Sequence, residues 1–315
     1  MKRADQRLLW GPFAVAGVML IAWYFVWRAG ADVMRGAIAD FAREQADNGG
    51  EVSYQPMRAR GFPFFLRGEI DDFAIARGKY RLKADTVYLH AVPWKPDRIV
   101  FSAAPGLRLD TPKAPWTLRA EGARASVEKT GAGGNWLFKA EIQALDGAAG
   151  ATSLQTARAV INVSPDKATP GAYAVSFRVL DAKLRNARGV TAVPRLDAAL
   201  TATAKPFALT IHGLDSEIDR ALVTVSGSVG ADRDGYLAGT LDAAIDNPAA
   251  LAEALRIMDV LKPEETRSVE AGLALFAAAG GGRMTAPLSF SDGETKLAGV
   301  KIARAPRLGR LDSQP

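Results

Sequence analysis

Leu8 to Trp27, LLWGPFAVAGVMLIAWYFVW, runs for twenty residues without a charged side chain. At about 1.5 Å of rise per residue, a helix of that length covers the roughly 30 Å hydrocarbon core of a bilayer. A helix also keeps its own backbone hydrogen bonds satisfied there. Leu8 opens the run. Trp10 lies near one end, and Trp23, Tyr24 and Trp27 lie near the other. Amphipathic rings favour the two water interfaces, so this spacing reads as a membrane anchor over residues 8–27. Pro12 falls in the first turns, where a missing N–H costs least.

Residues 1–7 form a short tail in which Lys2, Arg3 and Arg7 stand against Asp5. The positive-inside rule keeps such a tail in the cytoplasm and places the bulk of the chain on the other side. In a bacterium that means the inner membrane, crossed once, with a periplasmic domain. A buried helix of a soluble protein is disfavoured, because this one would be apolar all round at the extreme N-terminus. Ala29-Gly30-Ala31 has the form of a signal-peptidase site. Signal h-regions, however, span about 7–15 residues, and this run is longer and bulky up to Trp27 and Arg28. The expectation is an uncleaved anchor; either reading exports the remainder.

The net charge over 315 residues is +6, of which the first nine residues supply +2. The exported part is only mildly basic, which argues against a nucleic-acid partner and allows a weak attraction to anionic lipid headgroups. There is no cysteine. Disulfides and cysteine metal sites are therefore excluded, and an exported domain must hold together by its core.

Residues 28–50 continue as a helical stem. Val33, Ala37 and Phe41, and Met34 with Ile38, recur at three- and four-residue spacing, and Asn48-Gly49-Gly50 stops the pattern. Residues 51–245 change texture to short alternating runs parted by Gly, Pro, Asp and Asn, the signature of an antiparallel β domain. Tyr80, Leu82, Ala84, Thr86 and Tyr88 alternate along one such strand and are expected on one face. The stretches 123–146 and 222–246 resemble each other as hairpins, each with an aromatic residue after its turn, Trp136 and Tyr236. This is a weak repeat of the kind any antiparallel meander gives. Residues 246–282 read as two helices, 249–260 and 262–279, ended by Gly280-Gly281-Gly282. Residues 283–303 read as one closing hairpin around Ser291-Asp292-Gly293, and 304–315 as a basic tail. The expected fold is mainly β with an N-terminal transmembrane helix. A long curled antiparallel sheet, a groove or half-barrel, carries two C-terminal helices packed on it.

Chemistry is sparse. His90 and His212 are the only histidines, each alone in an expected strand. Asp71-Asp72 points its carboxylates to opposite faces of a strand or into a turn. Asp232-Arg233-Asp234-Gly235 imitates the start of a calcium loop, but position twelve is Ala243 rather than Glu, and a hairpin turn explains it better. Gly131 to Gly134 has no following Lys-Ser/Thr, and no nucleophile-elbow or zinc-protease triplet occurs. No catalytic, metal or cofactor residue is assigned, and the protein is not expected to be an enzyme. The most distinctive local run is Arg60-Gly61-Phe62-Pro63-Phe64-Phe65-Leu66-Arg67. Gly61 permits a sharp bend, Pro63 fixes φ, and three phenylalanines can wedge into one end of a sheet.

With the N-terminal span, the stem, Gly61-Phe62-Pro63-Phe64, Val92-Pro93-Trp94 and Asp292-Gly293 in view, the chain resembles domain-of-unknown-function family 2125, membrane-anchored proteins of the Gram-negative envelope. More distantly its layout is similar to AsmA-like proteins. That second likeness implies an apolar groove in a periplasmic sheet and a part in lipid handling. The closer family brings no catalytic residues.

Two functional readings stand. In the first, the apolar sheet face is an open groove for a lipid acyl chain, with inner-membrane lipids as partners. In the second, that face is filled by the chain's own side chains, and the protein is a structural or partner-binding scaffold that meets an envelope protein on its edges. In either reading Phe62, Phe64, Phe65, Leu82, Trp94 and Leu118 are the candidate surface. The parity that faces inward is open, because a one-residue shift reverses every side chain.

Overall fold

A computed structural model describes residues 3–92, 95–112, 114–130, 135–204, 207–258, 271 and 283–307. The fold is mainly β, and the pairings within each unit described below are antiparallel. The chain forms two compact units, Met1–Thr117 with Arg124–Lys129, and Leu118–Ala123 with Thr130–Pro315. The division falls inside the stretch that the sequence reads as one β domain.

The first unit opens with α1 (Arg3–Asp47), a single helix of 45 residues that merges the apolar run with the stem. It stops where Asn48 Nδ2 donates to the Glu44 carbonyl at 2.8 Å and Gly49 turns with φ 74°. Among the described residues, no helix is long and apolar enough to cross a membrane. The side chains of Leu8 and Trp10 lie outside the described residues. β1 (Gly50–Ser53), β2 (Arg58–Arg60), β3 (Leu66–Arg77), β4 (Tyr80–Val92), β5 (Lys95–Ala103) and β6 (Leu107–Asp110) follow, and β7 (Pro115–Thr130) supplies residues to both units.

Register explains the core. Leu66, Gly68 and Ile70 pair with Ala91, Leu89 and Val87, so their side chains share one face. Ala31, Met34 and Ile38 of α1, three and four residues apart, lie on that face with Met57. Each large apolar side chain so buried contributes about 2 kcal/mol. Gly68 lets the helix approach: a Cβ there would stand 2.5 Å from Met57 Sδ and 3.1 Å from Met34 Sδ. The other expected stem stripe points away, for Val33, Ala37 and Phe41 are all exposed.

The expected common face of Tyr80, Leu82, Ala84, Thr86 and Tyr88 is not formed. The β3–β4 pairing skips from Asp71↔Thr86 to Phe73↔Ala84, with Asp72 at φ 51°. This break in alternation turns the strands over. Ala84 is buried opposite Phe73. Thr86 instead donates to Asp71 Oδ1 at 3.0 Å, and Tyr88 lies under the Arg67 guanidinium at 4.1 Å.

The second unit continues with β8 (Asn135–Ala149), β9 (Thr152–Pro165), β10 (Ala172–Asn186), β11 (Gly189–Ala204), β12 (Phe207–Ile218), β13 (Ala221–Ala231) and β14 (Leu237–Asp246). From β8 on, each pairs with the next. α2 (Pro248–Met258) begins where Asn247 Oδ1 accepts from the Ala250 N–H at 3.2 Å, an N-cap. Leu251, Ala254 and Ile257 form its buried stripe. The second expected helix, 262–279, apart from residue 271, and the tail beyond 307 lie outside the described residues.

The closing hairpin is instead three strands, β15 (Arg283–Ser291), β16 (Glu294–Leu297) and β17 (Val300–Arg304). Asp292-Gly293 and Ala298-Gly299 both have positive φ at two successive residues, the form of a two-residue turn that matches strand twist. The sequence reading caught the first pair and missed the second, because Ala is an uncommon residue there.

Candidate functional site

In the second unit the register sorts side chains into two unlike faces. One carries Phe138, Ala140 and Ile142 of β8, Ala159, Ile161 and Val163 of β9, and Val175, Phe177 and Val179 of β10. The same face continues through Leu196, Ala198 and Leu200 of β11, then Leu209, Ile211 and Leu214 of β12. It runs on through Val225 and Val229 to Leu241, Ala243, Leu288 and Phe290.

Cover is uneven along this face. At β13–β16, Val229, Leu241, Ala243, Ile245, Met284 and Phe290 are buried, in part under α2. At β8–β12 none of the apolar side chains just named is buried, and Phe138 and Phe177 are more than a third exposed. Trp136, two residues before Phe138, is 49% exposed. The sheet is also creased here. Pairing skips beside Ala144 (φ 46°) and Asp181 (φ 52°), and Thr156 Oγ1 reaches the Leu180 carbonyl at 2.8 Å.

The opposite face is polar and carries ion pairs. Asp197 accepts from Arg178 and Arg195. Those two hydrogen bonds, Arg178 first, hold its carboxyl below the usual carboxylate range. Arg158 Nε donates to Glu141 Oε1 at 2.9 Å, and Thr201 Oγ1 lies 2.8 Å from His212 Nε2. A shallow hollow of about 520 Å³ lies over Arg158, Asn162, Arg178, Asp197, His212 and Asp215. Among the described residues no cluster of His, Asp or Glu could hold a metal ion. His90 of β4, in the first unit, is kept below the usual imidazole range by burial and then by Arg67 and Arg124. The Asp232 turn is a hairpin turn, with Asp232 Oδ1 accepting from the N–H of Asp234 and of Tyr236.

The Gly61–Phe65 segment belongs to the first unit and is held on α1. Trp23 Nε1 donates to the Pro63 carbonyl and Trp27 Nε1 to the Phe65 carbonyl, the latter at 2.9 Å. The Phe62 ring stands edge-on to Tyr24 and Trp27, with centroids 5.5 and 5.9 Å apart. Gly61, at φ 101°, admits no side chain, since a Cβ would meet the Phe65 ring at 2.5 Å. Phe64 is left 77% exposed.

Over most of its length, then, the chain carries the features on which a family resemblance rests: the helix leading into the sheet, the bent Phe-Pro segment and the Asp-Gly turn. It belongs to the DUF2125 family. The family model, described as an uncharacterized protein conserved in bacteria, matches residues 27–306. No curated protein matches the chain.

The DUF2125 match takes in both apolar surfaces. Of the expected surface residues, Phe62, Phe64 and Phe65 come together on α1. Leu82, opposite Ile75 and Leu109, lies about 30 Å further along the β3–β4 pair. Leu118 is half-buried on β7 in the second unit. Trp94 lies outside the described residues. Sequence reasoning missed the row through Ile161, Val163, Val175 and Phe177. The signal was present as the apolar-rich Ala159-Val160-Ile161-Asn162-Val163 and the alternating Val175-Ser176-Phe177-Arg178-Val179, whose shared face only the register reveals.

Proposed function

We propose that this DUF2125 protein is a single-pass inner-membrane protein whose periplasmic sheet holds a lipid acyl chain on the uncovered half of its apolar face. The observation that carries this is the face across β8–β12. It continues a buried core yet has none of its named apolar residues buried. A groove for an acyl chain needs apolar walls with little polar content, and a strongly curled sheet supplies them. The creases at Ala144 and Asp181 favour such a curl.

The anchor reading is supported by the uncharged Leu8–Trp27 run and by its inclusion in one unbroken helix. Val18, Met19, Leu20 and Ile21 are each more than half exposed. Four consecutive helical residues look out in all directions, so this part of α1 is apolar all round and uncovered. The basic tail before Leu8 favours a cytoplasmic N-terminus and a periplasmic sheet. A binding role rather than catalysis fits the polar face, where Glu141 and Asp197 are occupied by arginines.

The test is photolabelling of the full chain in vesicles with a fatty acid that carries a diazirine near its methyl end. Labelled peptides from Phe138–Ile142, Ala159–Val163 and Val175–Val179 support the reading. Label confined to Leu8–Trp27 overturns the groove and leaves a scaffold that meets a protein partner.

A further inference from the structure

We infer that the Gly61–Phe65 segment is a second membrane contact, a wedge whose Phe64 and Phe65 rings enter the outer interface of the bilayer beside the point where α1 leaves it. This rests on the anchor reading above and adds where the folded domain touches lipid. Three observations converge. The segment is fastened to α1 by side chains at positions 23, 24 and 27. Those positions lie within about 6 Å, along the axis, of the end of the apolar run. At the same level of the helix Ile21, Phe25 and Val26 are apolar and more than half exposed, so the exposed Phe64 ring lies on a segment fastened to an uncovered apolar stretch of α1.

The polar groups sort accordingly. Trp23 and Trp27 spend their indole N–H groups on the loop's own carbonyls, so their rings and those of the phenylalanines form one block with no free donor on those two indoles. Charge begins just beyond it, at Arg28 on the helix and at Arg60 and Arg67 on either side of the loop, the last two within reach of Glu69. Aromatic rings flanked by arginines suit the boundary between acyl chains and headgroups. A folded protein surface is a poorer fit, because the same helix is apolar and uncovered all round at Val18–Ile21, a turn before the loop.

Depth-resolved quenching tests this directly, since the chain has no cysteine and each new one is unique. The full chain is labelled with the fluorophore NBD at Phe64→Cys, Ile21→Cys or Lys79→Cys, one at a time. It is then reconstituted in vesicles of phosphatidylethanolamine and phosphatidylglycerol that contain lipids spin-labelled at the headgroup or deep in the acyl chain. Lys79 is in the turn at the far end of β3. Circular dichroism of each variant confirms that it is folded. The expected result is quenching at position 64 mainly by the shallow label, at position 21 by the deep label, and at position 79 by neither. Quenching at 21 alone overturns the wedge and leaves the anchor standing. Equal quenching at 64 and 79 overturns it in favour of a domain that lies flat on lipid. No quenching at 21 removes the anchor, and the wedge with it.

Discussion

Trp27 Nε1 donates to the Phe65 carbonyl at 2.9 Å, across 38 residues of sequence. The bond ties the helix to the segment that leads into β3, and Trp23 repeats it one turn earlier on Pro63. Trp27→Phe keeps most of the ring and removes the donor. A hydrogen bond of this kind is worth about 1 kcal/mol net, so opening of the segment should become roughly five-fold more frequent. Amide exchange of residues 61–66 should speed up by that factor, while exchange in β10 and β11 stays unchanged. Unaltered exchange at 61–66 would show that ring packing alone holds the loop.

Gly68 lies directly beneath Met57 and Met34. Gly68→Ala places a Cβ 2.5 Å from Met57 Sδ and 3.1 Å from Met34 Sδ, both on buried side chains. Methionine is adaptable, so the loss should be about 1–2 kcal/mol rather than a failure to fold. Met57→Ala in the same chain should recover part of it by opening the space. Urea midpoints of the wild type, the single variants and the double variant give the coupling; strict additivity would mean that the clash is relieved by other means.

Acid should weaken the second unit through Asp197. Its carboxyl titrates below the usual range in the folded state because Arg178, then Arg195, hydrogen-bonds the charged form. A group whose folded value is depressed adds stability above its unfolded value of about 3.9, and that stability is lost as pH falls through the folded value. Asp197→Asn should therefore lower the urea midpoint at neutral pH, and the deficit should shrink progressively as pH falls below the unfolded value and through the depressed folded one. Both arginines are more than half exposed, so the neutral-pH effect should also shrink with added salt. A deficit that is the same at all pH values would assign it to packing instead.

What the sequence made legible depended on range. Local signals sufficed for the mainly β texture, the helix stop at Asn48-Gly49 and the Asp-Gly turn after Ser291. The two faces of the sheet were not legible, because they depend on pairing between strands and on residues that break alternation. Asp72, Ala144 and Asp181 each sit at positive φ inside a strand, where nothing in their own side chains demands it. One such residue reverses the inward parity of everything after it, which is why Leu82 and Tyr88 end on opposite faces. The Phe62–Phe65 cluster was visible as a distinctive run. Its fastening to Trp23 and Trp27 was not, since those residues already had a sufficient explanation as interfacial rings.

The apolar face gives the sharpest test, because the same substitution should have opposite consequences at its two ends. Leu241 lies at the covered end, buried, opposite Gly227 and Leu288. Leu241→Asp places a charge there with no partner, which costs several kcal/mol and should unfold the second unit. Phe177 lies at the uncovered end, 37% exposed, opposite Ile161 and Ala198. A carboxylate there can reach water, so Phe177→Asp should cost only about 1 kcal/mol, yet it should abolish photolabelling by the fatty acid. Ser176→Asp, one residue away on the polar face, should affect neither. Thermal melting by circular dichroism and labelling yield are measured on the three variants together. If Phe177→Asp melts as early as Leu241→Asp, the β8–β12 face is a packed core and no acyl chain lies on it. If all three variants label like the wild type, the fatty acid binds elsewhere.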